Sequence, residues 1–174
     1  VVEREAVNLL LIVGDAFARP MLRALQDHAG RWNLDSVTTI SSSGVMWSQE
    51  VKAGLLEHIP QVLLIDSLGS SEAVGLGASA STRDERPGTA RFQLGETVRV
   101  FTDDDRPVEP GSGERGRVAI SGFLPAGYYK DPEKTEKTFR TIDGTRYSIP
   151  GDYATVEADG TITLLGRGSV CINT

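Results

Sequence analysis

The stretch QVLLIDSLGSSE, residues 61–72, joins a short apolar segment directly to small and polar residues. Residues 62–65 are large and aliphatic, as in a strand that is buried on both faces of a parallel sheet. They are followed by an aspartate, several small residues, two adjacent serines and Glu72. The stretch therefore predicts a buried strand whose carboxyl end carries hydrogen-bonding groups.

Strand-like segments alternate with amphipathic helical segments upstream of this stretch. Residues 8–14 and 37–41 form two further strand-like segments. Between them, residues 16–29 place four apolar side chains on one helical face, namely Phe17, Met21, Leu22 and Leu25. This alternation predicts an α/β fold, a parallel sheet with flanking helices. Ligands of such sheets bind beyond the carboxyl ends of the strands, where residues 41–44 and 66–72 fall.

A second helix is predicted between the second and third strands. Ser48 is a suitable N-cap, and Pro60 ends the helical segment. Its apolar residues fall on one stripe, which consists of Val51, Leu55, Leu56 and Ile59. Residues 1–83 are therefore expected to form the α/β part of the chain.

Beyond residue 83 the pattern changes to short strands separated by turns. Residues 97–101 and 117–121 alternate as strands do, and Asp159-Gly160 is a strong hairpin signal. Asp131 and Pro132 are suited to the N-cap and first turn of a short helix. We expect residues 84–174 to form a mainly β subdomain.

The composition favours a globular protein that does not bind nucleic acid. The chain has 24 acidic and 18 basic residues, a net charge of -6, and no cluster of lysine and arginine that would follow a phosphate backbone. The single cysteine, Cys171, excludes an internal disulfide and a thiolate metal site. The longest apolar run, residues 9–13, is too short to span a bilayer, and charged residues 3–5 argue against a signal peptide. We expect a cytoplasmic protein without a transmembrane segment.

Several other sequence patterns do not indicate a functional site. The letters GLGASA, residues 75–80, fit a dinucleotide-binding turn poorly because nine residues separate them from Ile65. Asp103–Asp105 lack the spacing of metal ligands and are typical of a turn between strands. His28 and His58 are each predicted near the end of a helix and receive no role.

Ser71 and Glu72 are the residues best suited to chemistry. A serine hydroxyl at a strand end can bind a phosphate oxygen, and a neighbouring carboxylate can hold the Mg²⁺ that neutralises the phosphate. Taken alone, the same two residues also fit a turn cap and a solvated carboxylate. Likewise, Asp152 and Arg167 each follow a glycine and fit ordinary turns.

Four segments in order resemble the AMP-forming acyl-CoA synthetases of the adenylate-forming superfamily. They are SSSGVMWSQE (41–50), DSLGSSE (66–72), GYYKDPEKTEKTF (127–139) and PGDYATVEADGTITLLGR (150–167). The resemblance covers nearly the whole chain and identifies it as the second half of the family's large domain. It implies that the β subdomain is small and resembles a distorted β-barrel.

The resemblance also implies roles for individual residues. Ser71 and Glu72 match catalytic residues that contact the ATP phosphates and the metal, with Glu72 as the metal ligand. Asp152 matches the carboxylate that holds the ribose hydroxyls, a suitable acceptor for two donors. The other ATP- or AMP-binding positions are Ser43, Gly44, Asp66, Ser67, Leu68, Gly69 and Arg167, and Ser169 matches the hinge to a C-terminal domain.

The implied activity is that of an acid–thiol ligase with ATP, Mg²⁺ and coenzyme A. A fatty or other hydrophobic carboxylic acid would be activated as acyl-adenylate and transferred to coenzyme A. Leu68 stands where the family usually has an aromatic residue, and Pro150 stands where a threonine is usual. The family's phosphate loop is expected upstream of Val1 and its catalytic lysine beyond Thr174, so we expect the isolated chain to be inactive and to self-associate through uncovered apolar surface.

Three alternatives remain at this point. The same segments also occur in amino-acid-adenylating and luciferase-like enzymes, and an isolated fragment of this kind could be a nucleotide-binding module without catalytic activity. The apolar residues of GVMW, above all Trp47, favour the acyl-CoA ligase.

Overall fold

A computed structural model describes residues 1–45, 47–85 and 91–167, the last residue by its backbone alone. Contacts divide these residues into two compact units. The first, unit 1, contains residues up to 67 together with 78–85. The second, unit 2, contains residues 68–77 and 91–167.

Unit 1 is built from strands and helices in alternation, as predicted. Its elements are β1 (Leu9–Ile12), α1 (Gly14–Asp27), β2 (Thr39–Ser43), α2 (Gln49–His58) and the first part of β3 (Leu63–Ser70). β1 pairs with β2 and β2 with β3, in both cases parallel. The carboxyl ends of the three strands therefore lie at the same edge of the sheet.

The core of unit 1 lies where the helices cover the sheet. All four residues of the predicted α2 stripe, from Val51 to Ile59, are buried. In α1, however, Phe17 is 55% exposed and Ala18 is buried, so the prediction for Phe17 was wrong. Ala18, Met21, Leu22 and Leu25 form the i, i+3, i+4, i+7 stripe, and Phe17 lies one position, about 100°, away from it.

The two helices approach closely at Gly54. A Cβ atom at Gly54 would lie 2.6 Å from Cδ2 of Leu22, so no larger residue fits without a shift of that side chain. The start of α2 is fixed by α1 as well, because Asp15 accepts hydrogen bonds from Ser48 N at 3.0 Å and from Ser48 Oγ at 3.1 Å. Burial pushes the pKa of Asp15 upward, but the Ser48 and Arg19 hydrogen bonds outweigh it and hold the pKa below its usual value.

β3 is longer than predicted and is followed by a strand that the sequence did not reveal. It continues to Ser70, and Ala73–Ser81 form β4 after a two-residue turn. The letters GLGASA thus lie in a strand and not in a dinucleotide-binding turn. Gly77 allows close packing, since a Cβ atom there would lie 2.9 Å from the Gln93 carbonyl oxygen.

Unit 2 is mainly β, as predicted. Beyond β4, its elements are β5 (Arg91–Leu94), β6 (Val98–Phe101), β7 (Arg115–Ser121), α3 (Pro132–Thr138), β8 (Phe139–Ile142), β9 (Thr145–Ser148), β10 (Asp152–Val156) and β11 (Ile162–Arg167). The strand order is β5-β11-β10-β7-β9-β8, and β6 pairs with β7. The first and last of these described strands, β5 and β8, do not pair with each other. The subdomain that was predicted to resemble a distorted β-barrel is therefore an open sheet. The class predicted for the chain, α/β followed by mainly β, is confirmed.

Local sequence signals in unit 2 were reliable. Asp131 is the N-cap of α3 and accepts a hydrogen bond from Lys134 N at 2.9 Å. β10 and β11 form the predicted antiparallel hairpin around Asp159-Gly160. Asp103–Asp105 lie in a turn, where Arg106 is the main cause that lowers the pKa of Asp104 to about 2.

Within the described ranges, no helix is long and apolar enough to cross a membrane.

Candidate functional site

Four of the predicted nucleotide-binding residues meet at the carboxyl ends of two neighbouring strands in unit 1. The parallel pairing of β2 with β3 places Ser43 beside Ser67 and Ser42 beside Asp66. Gly44 follows directly and has a φ of +84°, a conformation that favours glycine and turns the chain away from β2. The parallel pairing of β2 with β3 brings these strand ends together, and the roles of the residues stay predictions.

Asp66 is held by a lysine that the sequence analysis did not select. Lys52 Nζ in α2 forms an ion pair with Asp66 Oδ2. The side chains are 3% and 14% exposed, so both charges are largely removed from water. Burial raises the pKa of Asp66 above its usual value, and the hydrogen bond from Lys52 opposes that rise. The sequence did contain a signal for this lysine, because Lys52 lies between Val51 and the leucines on the buried face of α2.

Trp47 packs beside this ion pair. The indole is 1% exposed, and Lys52 Nζ lies 5.8 Å from its ring centroid, at the outer range of a cation–π contact. Its Nε1 is buried and has no hydrogen-bond partner within the described part of the chain. The preceding Val45 is 59% exposed, and Met46 lies outside the described residues. Trp47 thus contributes a buried aromatic ring beside Lys52.

Leu68, Gly69, Ser71 and Glu72 lie in unit 2, at the end of β3 and in the turn before β4. Gly69 leaves no room for a side chain without adjustment, because a Cβ atom there would lie 3.3 Å from the Ala73 carbonyl oxygen. Ser71 is exposed, whereas the Oγ atom of Ser70 is buried and has no hydrogen-bond partner in the described ranges. The turn therefore presents Ser71 to solvent, as a ligand contact requires.

Glu72 is half-buried and accepts a hydrogen bond from another of the four family-like segments. Tyr128 Oη donates to Glu72 Oε1 at 2.6 Å, although 56 residues separate the two in sequence. A donor to an ionised carboxylate at this distance forms a strong, charge-assisted hydrogen bond. Sequence reasoning missed Tyr128 as a partner of Glu72, since no local pattern links the two positions.

Asp152 and Arg167 are brought together by the hairpin of unit 2. Asp152 is the first residue of β10, is 9% exposed, and is the Cα partner of Arg167 on β11. Their pairing was not evident from the sequence, in which each residue also fits a simple turn. The predicted hinge residue, Ser169, lies outside the described residues.

Glu72 is a plausible ligand for Mg²⁺ when a nucleotide supplies the other ligands. The described residues contain no group of three His, Cys, Asp or Glu side chains that could hold a metal by themselves. Mg²⁺ commonly binds to one or two carboxylates, several waters and substrate phosphates, so one carboxylate is compatible with a metal–nucleotide site. A carboxylate offers about four acceptor positions, so the hydrogen bond from Tyr128 does not by itself prevent Glu72 from holding a cation.

Comparison with curated proteins finds acyl-CoA ligases, although no family model matches the chain. The chain is 44% identical to a 3-oxocholest-4-en-26-oate–CoA ligase of Rhodococcus rhodochrous, over 99% of its own length and 32% of the relative. It is 45% identical to a medium/long-chain-fatty-acid–CoA/3-oxocholest-4-en-26-oate–CoA ligase of Mycobacterium tuberculosis, again over 99% of the chain. The chain thus spans about a third of the length of these relatives.

Solved structures share the fold. A long-chain-fatty-acid-CoA ligase from Archaeoglobus fulgidus matches 95% of the chain and 35% of its own length, with a TM-score of 0.76 and 15% identity. The adenylation domain AlmE of Vibrio cholerae, in complex with glycyl-adenosine-5'-phosphate, matches 96% of the chain and 32% of its own length, with a TM-score of 0.75 and 17% identity. The identity to the curated ligases confirms the resemblance to acyl-CoA synthetases, and the solved structures confirm the fold.

Proposed function

We propose that this chain, which is related to acyl-CoA ligases over 99% of its length, is part of an ATP-dependent acyl-CoA ligase. The observation that carries the proposal is the 44–45% identity to curated ligases. The complete enzyme would join a carboxylate to the α-phosphate of ATP, release pyrophosphate, and transfer the acyl group from the adenylate to the thiol of coenzyme A. The chain would contribute part of the nucleotide site to this reaction.

The acid is proposed to be hydrophobic, such as a fatty acid or a sterol side-chain acid. The names of the two curated relatives support this, because both act on such acids.

The residues at the ends of β2 and β3 are proposed to line the adenine. Ser43, Gly44 and Ser67 offer small surfaces and backbone groups, and Asp66 is held by Lys52. Because the Asp66 carboxylate accepts from Lys52, we expect this ion pair to fix the shape of the adenine site as well as to offer an acceptor. Gly69 would allow the nucleotide to approach the backbone closely.

Ser71 and Glu72 are proposed to contact the phosphates and the metal. Attack of one anion on another is slow unless charge is neutralised, and Mg²⁺ would supply that neutralisation when bound. Glu72 would hold the metal, while the exposed Ser71 hydroxyl would donate to a phosphate oxygen.

Asp152 is proposed to bind the ribose hydroxyls, with Arg167 beside it on the neighbouring strand. Glu72 and Asp152 belong to the same compact unit, unit 2. In the complete enzyme, Asp152→Asn is expected to raise the KM for ATP about tenfold, because a charge-assisted hydrogen bond becomes a neutral one. The measurement is the rate of acid-dependent pyrophosphate release at varied ATP.

The nucleotide itself offers a second measurement of the Asp152 role. The unaltered enzyme should prefer ATP to 2'-deoxy-ATP, and Asp152→Asn should lose most of that preference. Asp143→Asn, at a turn residue between β8 and β9, is the control. An Asp152 variant that keeps both the KM and the preference would remove Asp152 from the ribose site.

The proposed activity is tested with the complete polypeptide that contains this chain. We expect pyrophosphate release that depends on an added hydrophobic acid, followed by thioester formation when coenzyme A is present. A panel of a long-chain fatty acid, a sterol side-chain acid and several amino acids separates a ligase from an amino-acid-adenylating enzyme. Pyrophosphate release without added acid, or with amino acids alone, would contradict the proposal.

A further inference from the structure

The hydrogen bond between Tyr128 and Glu72 links two of the family-like segments within unit 2. Tyr128 Oη lies 2.6 Å from Glu72 Oε1, and both side chains are half-buried. Partial burial strengthens such a bond because water competes less for the carboxylate. The phenol therefore restrains the carboxylate that the proposed function assigns to the metal.

Tyr128 is itself held in place by the segment that contains it. Thr135 Oγ1 in α3 accepts a hydrogen bond from Tyr128 N at 2.9 Å and donates to the Asp131 carbonyl oxygen at 2.7 Å. Asp131 in turn caps α3 through Lys134 N. One threonine hydroxyl thus joins the Tyr128 backbone to the first turn of a capped helix.

The ring of Tyr128 is restrained from two sides. Lys134 Nζ lies 4.0 Å from its centroid, within cation–π range, and the Phe139 ring packs against it with centroids 6.0 Å apart. Gly127 is required next to it, because a Cβ atom there would lie 2.5 Å from Thr135 Cγ2. With backbone and ring both fixed, the phenol hydroxyl has a defined position relative to the Glu72 turn.

We propose that Tyr128 is a positioning residue for Glu72, and that it orients the carboxylate toward a divalent cation on bound ATP. This inference rests on the proposed function. A hydrogen bond from a fixed donor stabilises the ionised carboxylate and limits its rotation, so the ligand geometry is set before the metal–nucleotide complex arrives. Partners of this kind, one step removed from the metal, typically change metal affinity by about 10- to 100-fold.

The test uses Tyr128→Phe in the complete ligase, with Mn²⁺ as a paramagnetic substitute for Mg²⁺. Binding of the Mn²⁺–ATP complex, followed by electron paramagnetic resonance without any acid substrate, is expected to weaken by about tenfold or more. Binding of ATP in the presence of a chelator should change by less than about twofold, since the metal is then absent. Tyr129→Phe is the matched control, because the neighbouring tyrosine is 88% exposed.

The same variant separates positioning from a general structural role. Thioester formation from synthetic acyl-adenylate and coenzyme A needs no metal–pyrophosphate contact, so Tyr128→Phe should leave its rate unchanged. If Tyr128→Phe does not fold, Thr135→Val carries the test, with Thr135→Ser expected to restore metal–nucleotide binding. Unchanged Mn²⁺–ATP binding in Tyr128→Phe, or a parallel loss of thioester formation, would overturn the inference.

Failure of the proposed function and failure of the positioning role give different experimental results. If the unaltered protein shows no acid-dependent pyrophosphate release, the ligase assignment fails whatever Tyr128 does. If the unaltered protein is an active ligase and Tyr128→Phe binds Mn²⁺–ATP as tightly as Tyr129→Phe does, only the positioning role fails.

Discussion

Replacement of Lys52 by methionine is expected to lower the free energy of unfolding of the complete protein by about 3 kcal/mol, because it leaves the Asp66 carboxylate buried without its cation. The Lys52 and Asp66 side chains are only 3% and 14% exposed, so water cannot replace the lost partner. Methionine retains most of the volume of lysine, which limits the packing defect beside Trp47. Urea-induced or thermal unfolding of the protein measures the loss.

Two further variants identify the cause of that loss. Lys137→Met removes a lysine that is 73% exposed and pairs with Glu133 on the surface, so it should change the free energy of unfolding far less than Lys52→Met does. Removing both charges with Lys52→Met and Asp66→Leu should recover much of the stability, since an apolar pair avoids the burial of charge. If Lys52→Met and Lys137→Met lower the free energy of unfolding equally, the buried ion pair matters no more for stability than the surface pair does.

The pH dependence of stability provides an independent check of the same pair. The folded-state pKa of Asp66 is raised above the ordinary 3.8. Folding therefore takes up a proton between the ordinary and the raised pKa, so the contribution of Asp66 to stability falls as pH rises through that window and is constant above it. Without Lys52 the pKa should rise further, so the decline should extend to higher pH in Lys52→Met than in the unaltered protein.

The second large effect is expected for Glu72→Gln in the complete polypeptide, and it rests on the proposed function. We expect kcat/KM for Mg²⁺–ATP in acyl-adenylate formation to fall by about 100-fold, because a neutral amide is a weak ligand for a hard divalent cation. Thioester formation from the acyl-adenylate should be nearly unaffected, since pyrophosphate and its metal have already left. Separate assays of the two half-reactions make the measurement.

Glu109→Gln is the control for this change, as Glu109 is exposed and lies in unit 2. Raising the Mg²⁺ concentration should partly restore the rate of acyl-adenylate formation in Glu72→Gln. A misfolded variant would not recover in this way. Equal losses in both half-reactions would contradict a metal role for Glu72.

Much of the fold followed from local patterns. The α2 stripe, the Asp131 cap of α3 and the hairpin at Asp159-Gly160 all depend on residues within one or two turns of each other, and all three were predicted correctly. β4 was missed because its alternating glycine, alanine and serine residues lack the β-branched and aromatic side chains that mark most strands.

The candidate site was only partly predictable. The proximity of Ser43 and Ser67 followed from the parallel strands, because the carboxyl ends of such strands share one edge. The partners of the two key acids did not follow, since Lys52 reaches Asp66, and Tyr128 reaches Glu72, through tertiary packing. Of these two partners, only Lys52 could have been selected from the sequence, because it is a charged residue on an otherwise apolar helix face.

The carboxylate of Asp15 has a consequence for the order in which the helices form. α3 carries its own cap, so its first turn is specified by a few consecutive residues and can appear early in folding. Ser48, the residue that precedes α2, is instead held by Asp15 of α1, 33 residues earlier in the sequence. We therefore expect the start of α2, and with it the placement of Lys52, to become fixed only when the two helices dock.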